Sequence, residues 1–297
     1  MKHHLSMITL GLGLLALASP ARAADPIRVT LLTGLNHHSW KETTPEIKAA
    51  LEACGRFTVT EVTPPSPADQ AASESFRLDL SKTDVVVNNW TDFPVKLAAG
   101  QKQVFPWMDE VFRFVREGGG YVGLHAASFE KHPEFLRLAG LHWRNPDAGD
   151  RITVDDAGKL VRTPKGEGPG SGHGQKFEWK VTTRQAQHPV MAGLPAEWPH
   201  AIDELWHGTR GPAEQMELLA TAWSPVTKTN EPMVWTIGYG KGRSFMTLLG
   251  HDGAAMRCVG FRTILCRGTE WAATGKVTLP VPPDFPKDKP VTVPAPK

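Results

Sequence analysis

Imidazole, carboxylate and carboxamide groups recur in this sequence directly after short apolar runs. His125 follows "GGGYVGL", His251 and Asp252 follow "SFMTLLG", and Asn89 closes "TDVVVNN". The run "IRVTLLTG" leads into "LNHHSW", which supplies Asn36, His37 and Trp40. A further segment, "HAIDELWHGTRGP", carries Asp203, Glu204, His207 and Arg210. Such groups move protons near neutral pH, bind hydroxyls or hold a divalent cation. His125, Glu204 and His251 are the candidates for acid/base catalysis. Asn36, His37, Trp40, Asn89, Ser128, His142, His173, Asp203, His207, Arg210 and Asp252 are candidates for holding a substrate. His37 and His38 are adjacent, so an extended backbone turns only one of them inward. His125, His251 and His207 could ligate a divalent metal such as zinc. Their spacing matches neither H-E-x-x-H nor paired C-x-x-C, so hydrogen bonding around a polar ligand is the preferred reading.

These residues matter together only if the elements before them are neighbouring strands. "IRVTLLTG" and "TDVVVNNW" are β-branched or apolar runs, as strands buried on both faces are, and "FTVTEV" and "YVGLH" are further strands. Between them lie helical spacings: Ile47, Ala50, Leu51 and Cys54 share one face, with Thr43 or Thr44 as N-cap and Pro45 in the first turn. A second helix runs from about Gln103 to Arg116. Alternating strands and helices predict a doubly wound, mostly parallel α/β sheet, in which ligands bind beyond the carboxyl ends of the strands. The second half adds β-hairpins, at "GDRITVDDAGKLVRTP" and around "YGKGR", and a last helix from about Ala254 to Ala273. The glycine-rich "KGEGPGSGHGQ" is neither a Walker loop nor G-x-G-x-x-G and reads as a mobile lid carrying His173. Trp40, Trp90, Trp143 and Trp206 lie beside the polar segments, and aromatic faces next to polar groups suit a small carbohydrate ligand.

The remaining features set bounds. Residues 1–23 have the pattern of a secretory signal peptide, with an apolar run from Met7 to Ala18 and Ala21 and Ala23 at a small-residue cleavage site. The expectation is an exported, periplasmic chain with a domain over residues 24–278 and no membrane span after cleavage. Loss of Lys2 and Arg22 would leave the 33 basic residues level with the 31 acidic ones, which gives no footprint for nucleic acid. Cys54, Cys258 and Cys266 are an odd set; Cys54 could pair with either of the others, and the preferred reading is three buried thiols. On one continuous helix the last two would stand about 12 Å apart, too far to bridge. Residues 279–297 are rich in proline and read as a loosely held tail.

The motifs "LTGLNHHSW", "GGGYVGLHAASF", "GPGSGHG", "HPVMAGLP", "DELWHGTRGP" and "YGKGRSFMTLLGHDGAAMRCVGF" resemble the ThuA-like, trehalose-utilisation family over about residues 27–276. The resemblance implies a flavodoxin-like fold similar to class I glutamine amidotransferases and a role in carbohydrate utilisation. Amidotransferases carry a cysteine nucleophile at G-x-C-x-G, where this chain has Gly123-Leu124-His125-Ala126-Ala127. Glutamine hydrolysis through a thioester is therefore not expected. Two readings remain: an enzyme acting on a sugar or oxidised (keto) sugar, and a non-catalytic carbohydrate-binding protein.

Overall fold

The computed structural model describes residues 25–92, 105–130 and 132–296. The expected signal peptide, residues 1–23, and the first part of the helix expected from Gln103 lie outside the described residues. In chain order the elements of the first half are β1 (Ile27–Leu32), α1 (Trp40–Ala53), β2 (Phe57–Val62), α2 (Gln70–Ser75), β3 (Val85–Asn88), α3 (Met108–Arg116), β4 (Gly120–Leu124) and α4 (Phe135–Ala139). The second half comprises β5 (Asp150–Val154), β6 (Leu160–Thr163), β7 (Phe177–Thr183), β8 (Glu197–Asp203), β9 (Arg210–Gly211), β10 (Met216–Ser224), β11 (Thr229–Tyr239), β12 (Gly242–Thr247), α5 (Gly253–Met256) and α6 (Val259–Thr274).

All strands join one mixed sheet whose main path is β2-β1-β3-β4-β12-β11-β10-β7-β8, with β5, β6 and β9 as a side branch. The first five strands of that path are parallel. Their order is that of a flavodoxin-like sheet, with β12 in the fifth place. Helices cover both faces, as adjacent residues of β12 show: a Cβ on Gly242 would stand 2.1 Å from the Val115 carbonyl oxygen of α3, whereas Arg243 donates to Trp271 and Ala272 carbonyls of α6. From β11 onward the pairing is antiparallel. A mostly parallel sheet therefore describes only the first half, because the hairpins expected as additions extend the same sheet. Gly240 and Lys241 close the β11–β12 hairpin, which is how an antiparallel layer is grafted onto the parallel edge.

Three local expectations change. Helix α1 starts at Trp40 after Ser39, so Pro45 lies inside it and Thr43 and Thr44 are buried rather than capping. The last helix is broken, with Cys258 as N-cap of α6. The proline-rich tail is docked rather than loose: Phe285 is buried against Trp198, and residues 291–293 exchange backbone hydrogen bonds with Arg257 and Val259. Among the described residues no helix is long and apolar enough to cross a membrane.

Candidate functional site

Four chain segments meet at the carboxyl edge of the parallel strands. After β1, the Asn36 side chain donates to the Asn89 carbonyl just beyond β3 and accepts from the His38 backbone N–H. Asn89 in turn donates to Thr43 and Thr44 of α1. This scaffold turns His38 inward and leaves His37 exposed. After β4, His125 has φ +43°, a left-handed conformation that costs a non-glycine residue of order 1–3 kcal/mol. It is held there by β12: its N–H donates to Thr247 O at 2.8 Å and its Nδ1 to Leu248 O at 2.7 Å. A carbonyl only accepts, so Nδ1 carries a proton and Nε2 is the nitrogen turned toward the site.

Glu204 arrives from the antiparallel half, at the end of β8. Its Oε2 lies 3.5 Å from His125 Nε2 and 3.1 Å from His251 Nδ1, and it accepts from Trp206 Nε1. The ring of His38 lies 4.2 Å from that of His251 and 5.0 Å from that of His125, centre to centre. One ligating atom from each of His38, His125, Glu204 and His251 falls within 4.8 Å of the others. His38 Nε2, His125 Nε2 and His251 Nδ1 are buried and lack an aligned hydrogen bond. Burial and then the imidazoles of His125 and His251 push the pKa of His38 down to about 3, so its ring is neutral. Burial alone would raise the Glu204 carboxyl; the close His125 and His251 imidazoles outweigh it and hold it well below the usual range. The adjacent Glu204 carboxylate raises His251. Imidazole nitrogens without aligned hydrogen bonds, gathered on one carboxylate, are the donor set of a zinc-type cation.

Above this centre opens a cavity of about 310 Å³, lined by His37, His38, Ser128, Glu130, His142, Trp143, His173, Glu204 and Trp206. The Trp143 and Trp206 rings meet edge to face and Trp206 also packs on His125. His142 Nδ1 lies 3.2 Å from Glu130 Oε1. His173 Nε2 comes within 3.6 Å of Glu204 Oε1. It is brought there by a pinned loop, not a free lid: Gly172 and His207 exchange backbone hydrogen bonds, and Arg210 donates to the carbonyls of Glu167 and Pro169.

Several expected site residues thus have supporting positions. Arg210 is fully buried and spends its guanidinium on loop carbonyls. His207 lies behind Gly172, outside the four-residue cluster. Asp252 caps α5 and pairs with Lys176 at 2.6 Å. Trp40 opens α1, and Asn36 and Asn89 brace loops. Trp90 is buried among Phe105, Trp107 and Phe129. Asp203 is buried beneath the site: its carboxylate accepts from His200 Nε2 and from the backbone N–H groups of Glu204, Gly250 and His251. The choice of His38 over His37 was not decided by the sequence, and Glu130 was missed although it follows the end of β4 closely. No cysteine lines the cavity.

A flavodoxin-like sheet with its polar centre at the strand ends defines the class of protein. The chain belongs to the ThuA family, described as trehalose utilisation, whose model matches residues 28–272. A ThuA-like protein of Parabacteroides merdae is 38% identical over 91% of this chain and 98% of its own, with a TM-score of 0.81. A ThuA-like protein of Bacteroides uniformis is 16% identical, covering 88% and 97% of the two chains with a TM-score of 0.54. A cytoplasmic protein of Salmonella typhimurium is 11% identical, covering 83% and 98%, with a TM-score of 0.51. The last two share the fold alone. No curated protein gives a significant match.

Proposed function

We propose that the protein is an exported enzyme of carbohydrate utilisation that acts on a sugar or oxidised (keto) sugar at the centre formed by His38, His125, His251 and Glu204. The observation that carries this reading is the convergence of three ring nitrogens without aligned hydrogen bonds on one carboxylate, at the base of a tryptophan-walled cavity. Those four residues would hold a divalent cation such as zinc, which when bound supplies Lewis-acid activation of a carbonyl or hydroxyl oxygen. The Leu248 carbonyl keeps the His125 tautomer that presents Nε2, an outer-shell role typical of ligating histidines. Trp143 and Trp206 offer apolar faces to a sugar ring. His142, paired with Glu130, and His173 stand where they can bind hydroxyls or hold a proton at a substrate oxygen. The cavity lies at the small end of the roughly 300–1,000 Å³ range of ligand pockets, which suits a ligand of one or two sugar rings. Export rests on the amino-terminal segment.

Zinc loading followed by metal analysis, a thermal-shift series with disaccharides and their keto derivatives, and turnover by Glu204→Gln and His125→Ala chains test this reading. Expected are stoichiometric zinc in the parent and not in the variants, a ligand-induced rise in melting temperature, and loss of turnover in both variants. Sugar binding without turnover in the zinc-loaded parent refutes the enzyme and leaves a carbohydrate-binding protein.

A further inference from the structure

Helices α1 and α6 are joined by a ladder of polar contacts that advances one helical turn at a time. Glu42 accepts from the Gly253 N–H ahead of α6, Glu46 from Arg257, and the Ala49 carbonyl from Arg262. The next rung is sulfur. Cys266 donates to the Ala50 carbonyl at 3.2 Å and Cys54 to the neighbouring Leu51 carbonyl at 3.1 Å, so adjacent carbonyls of α1 hold the two sulfurs side by side, close enough for each to shift the other's acidity. All three cysteines are free, Cys266 is buried and Cys54 is half-buried. Both thiols line a cavity of about 530 Å³ between α1, α6 and the docked tail, with the Arg262 guanidinium on its wall.

We propose that Cys54 and Cys266 are a disulfide-forming pair that takes small anionic disulfides of the oxidised-glutathione class as oxidant and so staples α1 to α6. The neighbouring Cys266 sulfur brings the Cys54 thiol down to about 7, whereas the same proximity and burial push Cys266 up. Cys54 is therefore the attacking thiolate. It attacks one sulfur of the small disulfide, whose S–S bond breaks and releases one thiolate, leaving a mixed disulfide at Cys54. Cys266 then loses its proton and attacks the Cys54 sulfur, expelling the second small thiolate. Two protein thiols are oxidised to one disulfide and the small disulfide is reduced to two thiols. Cys258, the N-cap of α6 beside His200, takes no part. The inference is independent of the chemistry proposed for the sugar site. Its consequence is mechanical: the staple closes the end of the ladder that begins at Glu42, next to the loop carrying His38.

The full chain is incubated with oxidised glutathione, and its thiols are counted in denaturant and mapped by peptide mass. The expected count falls from three to one, a linked Cys54–Cys266 peptide appears, dithiothreitol reverses both, and the oxidised chain melts several degrees higher. Cys258→Ser retains this behaviour and Cys54→Ser abolishes it. A persistent glutathione adduct on Cys54 with Cys266 free, or a link involving Cys258, overturns the proposal. So does retention of all three thiols. These readouts on the parent chain do not depend on any variant folding.

Discussion

Asp203→Asn gives the sharpest test of how the site is assembled. The Asp203 carboxylate is fully buried and accepts four hydrogen bonds: Oδ1 from the N–H groups of Glu204 (2.8 Å) and His251 (3.0 Å), Oδ2 from Gly250 N–H (2.7 Å) and His200 Nε2 (2.8 Å). It therefore ties the end of β8 to the segment after β12, and so Glu204 to His251. Asparagine offers one acceptor oxygen, so the two bonds made by the other carboxylate oxygen are lost as bonds to a charged group. Loss of two hydrogen bonds to a charged group, at about 1.5–3 kcal/mol each, destabilises the chain by roughly 3–6 kcal/mol. At about 2–4 °C per kcal/mol for a chain of this size, the melting temperature falls by roughly 6–24 °C. Zinc affinity should also fall by about 10–100-fold, as for other outer-shell changes, although Asp203 does not line the cavity and supplies no ligand atom. Thermal unfolding by circular dichroism and zinc titration calorimetry measure the two effects. A change below about 2 °C, the size expected of a surface substitution, refutes the argument.

Three further outcomes follow from the same geometry. Burial alone would lower the pKa of His200, but the hydrogen bond and charge of Asp203 outweigh it and lift it to about 9. The unfolded value is about 6.5, so this stabilisation is complete below that pH and is lost as pH rises towards 9. Denaturant midpoints across that range should decline in the parent and flatten in His200→Gln. Trp143 is 36% exposed at the cavity wall, so Trp143→Ala should weaken sugar binding by roughly 2- to 10-fold while leaving the melting temperature nearly unchanged. Gly208 has φ +67° and a Cβ there would stand 2.2 Å from the Gly170 carbonyl oxygen. Gly208→Ala should cost more than about 1 kcal/mol, and limited proteolysis within residues 166–174 should accelerate as the loop detaches.

The parallel half of the fold was readable because each element carries its own local signal. β1, β3 and β4 are apolar runs ended by glycine or polar residues, β2 is a β-branched edge strand, and α1 and α3 show one apolar face each. The strand-end rule then placed His125, His251 and the "LNHHSW" loop on one edge, and the structure brings them together. Reading failed where a residue's meaning depends on its long-range partner. Thr43 and Thr44 have the chemistry of N-caps, yet they are drawn inward by Asn89, and Pro45 is accommodated inside α1. The glycine-rich segment has the composition of a lid, but the buried Arg210 guanidinium fastens it.

By itself, the sequence determined the family, the flavodoxin-like half and the supply of imidazoles at strand ends, since these rest on periodicity and on motif order along the chain. The tertiary structure alone decided which of those groups form a centre. His38 faces in because Asn36 folds the loop back on itself, and Glu204 meets His125 only because the antiparallel strands extend the sheet and return β8 to its edge. Asp203, His207 and Arg210 stand beside Glu204 in sequence but face other partners. A side chain's direction at the end of a strand is set by contacts far away in the chain, and local pattern carries no record of them.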